Sequence, residues 1–446
     1  MLYGRRRIGK SCLLLKWCSE TDGLYLVADT SSAALQRQTL AISIAERFPG
    51  FDEVVYPSWS SFFRALTMRA QAESWHGPVV FDEFPYLVAS DSSLPGVFQS
   101  WVDAELTANG LLIAISGSSQ HMMQGLALDR ESPLYGRAEA MFPLEPLAAG
   151  HLQKALHLSS SVEAIKAYSI WGGVPRYWQS AEPYESRLEK SLEELVLSPL
   201  GLYHEETNFL LKSETPSAIG LRPYLDAIGF GAHRLSELAA RLQQPTTALS
   251  RPIGQLKELG LVKREVPFGE NERNSKKSLY FIADPFCHFW FRVLAPRRSL
   301  FDASTKQGRQ FLWRKYADAV FAYQWEELAR KYVHKCPEIL ASGDEGQIWL
   351  PARRWWQENH PEWDIATTNL DGSLGLLGEV KWSDKPFSAR EIGQLSRELL
   401  SRERPPAIPE KTIFVLVVPS VARGVKPLDG ISLLTAEDIL AATLET

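Results

Sequence analysis

The sequence predicts an α/β fold built on a parallel sheet, and three observations carry that expectation. The first is Gly4-Arg5-Arg6-Arg7-Ile8-Gly9-Lys10-Ser11, which matches the phosphate-cradling pattern G-x-x-x-x-G-K-S/T. The second is a set of nearly all-apolar runs, Leu24–Ala28, Pro78–Phe81 and Leu111–Ser116, separated by stretches of helical spacing. Apolar strands alternating with helices imply a sheet covered on both faces. The third is the acid pair Asp82-Glu83 that closes the middle run, where a bound triphosphate would need carboxylates.

Each element of the first 149 residues has a chemical reason. Gly4 and Gly9 let the backbone curl so that successive N–H groups point at phosphate oxygens, Lys10 reaches the terminal phosphates, and the Ser11 hydroxyl ligates Mg²⁺. Cys12 opens the helix Cys12–Trp17, whose positive end faces the anion. Only Met1-Leu2-Tyr3 precede the loop, shorter than an ordinary strand of about five residues. Either the recorded start omits an upstream segment or the nucleotide site is incomplete. Leu35–Phe48 and Trp59–Ala72 have helical spacing. Asp82 would hold Mg²⁺ through its water shell and Glu83 would polarise the attacking water; the alternative is a solvated acidic turn. Past Leu111–Ser116, a polar residue would sense the γ-phosphate, with Ser116, Ser118 and Ser119 as candidates and Ser118 the choice; a plain turn is the alternative. Arg137, in Ser132-Pro133-Leu134-Tyr135-Gly136-Arg137, is either an arginine finger, in cis or from a neighbouring subunit, or a surface residue.

Residues 150–215 turn helical around the break Trp171-Gly172-Gly173-Val174-Pro175 and would form a lid over the nucleotide. Residues 216–300 differ in character. Arg234–Leu242 and Thr247–Leu259 read as two helices joined by a turn, followed by β-like runs Leu261–Val266 and Ser278–Ala283 around a polar tip. That is the plan of a winged helix-turn-helix. Pro252 should kink the second helix. Leu221–Leu300 holds 13 Lys and Arg against 7 Asp and Glu, a local net of +6, which is an electrostatic footprint for nucleic acid. Lys276 and Lys277 in the wing would touch phosphate; a protein-interaction module is the competing reading.

Residues 301–446 begin with a helical pattern, Phe311–Val333, carrying Glu326 and Glu327. Trp363–Thr367 and Leu376–Trp382 flank an Asp371-Gly372 turn and predict a hairpin. Side-chain alternation puts Glu379 and Lys381 on one face. With Asp364 on that face, two carboxylates would bind a divalent metal and the lysine would orient a water beside a phosphodiester; a solvated hairpin face is the alternative. Thr412–Val418 supplies a further buried strand.

The whole chain sets limits on function. At 446 residues, 45% apolar and 23% charged, it has room for two to four domains of ordinary globular composition. No apolar run approaches a transmembrane helix, and no secretory signal precedes the loop. Four scattered cysteines, Cys12, Cys18, Cys287 and Cys336, fit reduced thiols in a cytoplasm. Net charge is −5, so the chain as a whole is not a polyanion binder.

The order of motifs resembles the archaeal-type AAA+ ATPase family. The residues that carry the likeness are YGRRRIGKS, VVFDEF, ISGSS, SPLYGR, GGVPRYW, YFIADPFCHFWFR and WDI…GEVKW. The C-terminal part looks like a PD-(D/E)xK nuclease domain. The resemblance implies an ATPase core of Lys10, Ser11, Asp82 and Glu83, and maps Glu326, Asp364, Glu379 and Lys381 onto the nuclease-like quartet. Members of the family have an upstream strand and an adenine-contacting arm that this sequence lacks. Three functions compete: an Mg²⁺-dependent ATPase coupled to DNA binding or cleavage, a nucleotide-switched scaffold, and a nuclease fold used only for docking. ATP and DNA are the expected partners, with a second copy of the chain or another protein as alternatives and no membrane.

Overall fold

Apolar runs bounded by polar turns make the strands of the first sheet. The computed structural model describes residues 1–106, 110–185, 187–214, 216–341, 348–358 and 360–444. Two compact units emerge, Met1–Pro146 with Phe209–Ile219, and Leu147–Asn208 with Gly220–Thr446.

In the first unit the strands are β1 (Leu2–Tyr3), β2 (Leu24–Val27), β3 (Val79–Asp82), β4 (Ile113–Gly117) and β5 (Phe142–Pro143), ordered β2-β3-β4-β1-β5. Every pairing is parallel. The chain start, too short by itself for a strand, is accommodated because Leu2 and Tyr3 pair on both sides, with Ser116–Gly117 and Phe142–Pro143. The helix Trp59–Ala72 packs Trp59, Phe62, Phe63, Leu66 and Ala70 inward, at helical spacing. A capping box between Ser58 and Ser61 fixes its start. An aromatic cluster fills the space between helix and sheet, with Phe63 stacked on Trp101 at 4.5 Å and edge-on to Phe81 at 5.9 Å.

In the second unit a helix–turn–helix, Leu235–Leu242 and Thr246–Glu258, leads into the antiparallel pair β6 (Val262–Glu265) and β7 (Leu279–Ile282). The second helix runs through Pro252, with Leu249, Ile253 and Leu256 buried. Its Thr246, Thr247, Ser250, Arg251 and Gln255 are exposed. The loop between β6 and β7 folds onto the C-terminal sheet: Phe268 N–H donates to the Arg354 carbonyl at 2.8 Å and its ring joins that core. Lys277 is engaged by Glu270 at 2.7 Å.

The C-terminal sheet comprises β8 (Arg353–Trp355), β9 (Trp363–Thr368), β10 (Gly375–Val380), β11 (Thr412–Val417) and β12 (Ile431–Leu434), ordered β12-β11-β10-β9-β8. β9 and β10 form the expected antiparallel hairpin, turned at Asn369–Gly372, where Gly372 adopts φ +74°. β10 is central and buried at every residue. A side chain at Gly378 would meet Val415 at 2.5 Å, so only glycine fits there.

This packing has a consequence for stability. His288 stacks on Tyr323 at 4.0 Å, and its Nδ1 finds no hydrogen-bond partner. Burial, then the charges of Arg292 and Lys263, push its pKa down to about 3. Between that value and the unfolded value of about 6.5 the unfolded chain binds the extra proton, so stability falls as pH drops through this window. His288 alone should cost ~2 kcal/mol between pH 7 and pH 5. His288→Phe, which keeps the stack, should flatten the corresponding shift in urea midpoint.

Candidate functional site

Two clusters of chemistry-bearing residues stand out, one in each unit. In the first, Gly9 (φ +99°) caps the helix Lys10–Glu20 and lets the loop turn into it. A Cβ on Gly4 would lie 2.7 Å from the Leu144 carbonyl, so the loop needs glycine there to pass that backbone. Lys10 is only 5% exposed, and its Nζ donates to the carbonyls of Gly4 (2.7 Å) and Arg5 (3.2 Å) inside the curl. Cys12, one turn into the helix, is exposed.

Asp82 is 1% exposed and its carboxylate is fully engaged. Oδ2 accepts from Ser11 Oγ at 2.7 Å and from the Tyr25 hydroxyl, while Oδ1 accepts from Ser116 Oγ at 2.8 Å and from Glu83 N–H at 3.0 Å. Four donors hold the buried carboxylate in one orientation. Burial, then the bond to Asp82, raises the Tyr25 pKa, so its proton stays on as a donor. Glu83 adopts the left-handed conformation (φ +55°), a strained choice for a residue with a Cβ. Ser118 holds its Oε2 with both N–H (3.1 Å) and Oγ (2.9 Å).

Lys10, Ser11, Asp82, Glu83, Ser116 and Ser118 are thus brought together around the loop and the ends of β3 and β4. Ser118 sits on Glu83, and Ser116 rather than Ser118 sits on Asp82. Ser119 instead caps the helix Gln120–Leu128. Arg137 is not among them. Its guanidinium binds Asp103 through Nε and Nη2, both at 2.9 Å, and its Nη1 donates to the carbonyls of Pro133 and Tyr135. Tyr25 was missed by sequence reasoning, because an aromatic inside a short apolar strand reads as core.

In the second unit, β9 and β10 pair Gly378 with Ile365, so the next step along the register sets Glu379 opposite Asp364. Val380 N–H donates to Asp364 Oδ2 at 2.9 Å. Glu379, 7% exposed, is bonded by Lys381 Nζ at one oxygen and by Arg402 Nη1 at the other. Glu326, on the long helix Lys306–Tyr332, is pushed up to about 7 by burial and then by the charge of Asp364. Asp364 is itself raised by burial and the charge of Glu379. Burial pulls Lys381 down, but its bond to Glu379 and the charges of Glu379 and Asp364 outweigh that, and its pKa is raised.

The predicted quartet therefore meets, with cations that sequence reasoning did not find. Arg330 donates to the Asp364 carbonyl at 2.8 Å and to Glu327 at 2.6 Å; Glu327 in turn binds Lys263 of β6. The crowding of Glu326, Asp364 and Glu379 makes a charge distribution that a divalent cation would relieve. Among the described residues, no three His, Cys, Asp or Glu side chains are grouped tightly enough to hold a metal by themselves. Asp364 and Glu379 would have to do so as a pair, with backbone or water oxygens beside them.

Residues 290–394 match the family DUF234, described as archaeal and bacterial proteins of unknown function. An uncharacterized protein of Methanocaldococcus jannaschii, MJECL04, is 26% identical over 407 residues, spanning 91% of this chain and 87% of that protein. Among solved structures, the Walker-type ATPase PABY2304 of Pyrococcus abyssi aligns over 66% of this chain and 90% of its own, with a TM-score of 0.51 and 22% identity. The ORC2 protein of Aeropyrum pernix aligns over 73% and 88%, at a TM-score of 0.42 and 13% identity, too loose a likeness to bear on this chain. The likeness to the Pyrococcus protein extends to the fold: the chain has the α/β fold of that Walker-type ATPase. No helix among the described residues is long and apolar enough to cross a membrane.

Proposed function

We propose that the chain is an AAA+ type ATPase that binds ATP with Mg²⁺ and couples its turnover to duplex DNA. One observation carries the ATPase reading: the buried Asp82 carboxylate bonded at 2.7 Å to the hydroxyl of the loop serine, Ser11. A hydroxyl and a carboxylate already in contact are the two groups that would share the shell of one Mg²⁺. Bound Mg²⁺ supplies neutralisation of phosphate charge. Lys10 exchanges its two loop carbonyls for phosphate oxygens. Glu83, fixed by Ser118, accepts a proton from the attacking water. Ser116 and Tyr25 keep Asp82 aimed.

We read residues 216–300 as a winged helix and residues 301–446 as a nuclease-like domain. Support for DNA comes from the helix Thr246–Glu258, whose outward face begins with Thr246, Thr247, Ser250 and Arg251 and carries no acid before Glu258. Hydroxyls and a guanidinium are the groups that read base edges and phosphates. The base of the β6–β7 loop is held on the C-terminal sheet through Phe268, while Lys276 and Lys277 at its tip stay exposed and would reach phosphate. That same docking favours a second reading, in which the region is a protein-binding scaffold switched by nucleotide. In the C-terminal domain, Asp364 and Glu379 would hold a divalent metal for phosphodiester hydrolysis.

The test is ATP hydrolysis with and without duplex DNA, alongside DNA retention over a salt series. Stimulated hydrolysis and a steep salt slope are expected. Arg251→Ala should weaken duplex binding by ~1–3 kcal/mol. Binding of the same strength in both proteins would overturn the DNA assignment and leave the scaffold reading.

A further inference from the structure

The β6–β7 loop is folded around one side chain of β6, Arg264, whose three guanidinium nitrogens all donate within that loop. Nε bonds Ser278 Oγ at 2.8 Å, Nη1 the Glu272 carbonyl at 2.5 Å, and Nη2 the Ser275 carbonyl at 3.1 Å. Ser278 Oγ donates in turn to the Ser275 carbonyl at 3.1 Å. Local bonds complete the tip: Arg273 N–H donates to Asn271 Oδ1 at 2.9 Å, and Ser275 N–H to the Asn271 carbonyl at 3.0 Å. The strand that carries Arg264 is itself fixed by its neighbours in sequence, which alternation sets on the opposite face. There Lys263 is bonded to Glu327 and, at 2.7 Å, to Glu265.

Charge within this tip is sorted. Gly269–Lys277 holds two acids, Glu270 and Glu272, and three cations, Arg273, Lys276 and Lys277. Both acids are taken: Glu270 binds Lys277 at 2.7 Å, and Glu272 binds Arg353 of β8. Arg273 and Lys276 are exposed, and among the described residues their side chains make no ion pair or hydrogen bond. Loop stability alone does not account for this arrangement, since Glu272 pairs outside the tip and leaves two cations within it unmatched. A phosphate backbone is an anion that two unmatched cations on one ordered loop can meet together. An ordered loop also escapes the entropy that a flexible one loses when a ligand fixes it.

We propose that Arg264 is a positioning residue, folding the tip into the shape that presents Arg273 and Lys276 together to the phosphates of duplex DNA. This rests on reading residues 216–300 as a DNA-binding winged helix, and it separates two kinds of contact. The helix Thr246–Glu258 would meet the duplex through its own residues, Arg251 first among them. The tip would add phosphate contacts, which fix orientation without reading sequence. Lysine is no substitute for Arg264, because an ammonium is a compact point charge whereas the guanidinium fork serves three acceptors along fixed directions.

The test uses the full chain and one DNA duplex, with affinity measured over a salt series. Arg273→Ala and Lys276→Ala should each take about 0.9 from the slope of log affinity against log salt, one phosphate contact apiece. Arg264→Lys keeps the charge without the fork and should weaken binding roughly tenfold, since the tip must then be ordered on binding. In the Arg264→Lys protein, Arg273→Ala should take clearly less from the slope than it does in wild type. Arg251→Ala, on the helix, should lower affinity by the same factor in both backgrounds. A general loosening of the fold would change both losses, so the pattern singles out positioning. Ser278→Ala removes one acceptor but leaves Arg264 in place, and should shrink the Arg273 loss to a smaller extent. Equal losses from Arg273→Ala in wild type and in Arg264→Lys overturn the role of Arg264. If Arg273→Ala and Lys276→Ala leave the slope untouched while Arg251→Ala weakens binding, the tip is off the DNA and the DNA reading stands. Should none of these three change binding, the DNA reading fails and the proposal goes with it.

Discussion

Lys10→Ala should lose ATP binding by roughly a thousandfold, the cost of truncating a buried charge that pairs with an anion. The reason lies in where Lys10 spends its charge. Its Nζ, almost fully enclosed, has the carbonyls of Gly4 and Arg5 as partners within the loop. A carbonyl is a weaker partner for an ammonium than a phosphate, so exchange toward phosphate is downhill. Alanine removes the cation, and it leaves two loop carbonyls without their donor. The loss would then be structural as well as electrostatic, so Lys10→Arg and a melting curve belong in the same experiment. Glu83→Gln provides the contrast. Glutamine retains an oxygen for Ser118 N–H and Oγ, so nucleotide binding should persist. It cannot accept the water proton, and turnover should fall about 10²–10³-fold. Titration of a fluorescent ATP analogue separates the two variants from each other. Wild-type affinity in Lys10→Ala would remove the nucleotide site from this loop.

How much of this was legible beforehand depended on whether a signal was local. The helix Trp59–Ala72 matches its sequence limits because apolar spacing and a cap residue both lie within the segment. The hairpin of β9 and β10 was legible for a similar reason, since an Asp-Gly turn between apolar runs states its own register. The carboxylates followed, because alternation along a strand fixes which residues share a face. What escaped is non-local. Tyr25 reaches Asp82 across 57 residues, Arg402 reaches Glu379 across 23, and Arg137 finds Asp103 across 34. Nothing in the neighbouring sequence marks these partners, and each changes the chemistry of a residue that was marked. Arg137 illustrates the point. Its motif left an arginine finger and a surface residue as alternatives, and neither indicated that its exposed guanidinium pairs with Asp103 on the segment Val102–Leu106. The β6–β7 loop is a second case: its polar tip is exposed at Lys276 and Lys277 as composition suggested, but nothing nearby indicated that Phe268 at its base anchors to a core formed more than eighty residues later.

Asp364→Asn should reduce metal-dependent cleavage of DNA by about a thousandfold or more, because the metal supplies several kcal/mol of charge stabilisation at the phosphate. Asparagine is the sharper substitution here than alanine. Its carbonyl oxygen still accepts the Val380 N–H that Asp364 Oδ2 now accepts at 2.9 Å, so the hairpin keeps its register. What disappears is one negative charge from a crowd that includes Glu379 and Glu326. Removing a crowded buried charge relieves repulsion, so the metal-free variant should melt no lower than wild type. Mn²⁺ should raise the melting temperature of wild type, by binding only the folded chain, and leave the variant unchanged. ATP hydrolysis should be preserved, since Ser11, Asp82 and Glu83 lie in the other unit. Cleavage is best followed on duplex, single-stranded and branched DNA with Mg²⁺ and with Mn²⁺. Cleavage at equal rates by both proteins would locate the chemistry elsewhere. If wild type cleaves none of the three substrates while Mn²⁺ still stabilises it, the pair binds metal without hydrolysing DNA. In that case Glu379, held between Lys381 and Arg402, is better understood as part of a docking surface than as a catalytic ligand.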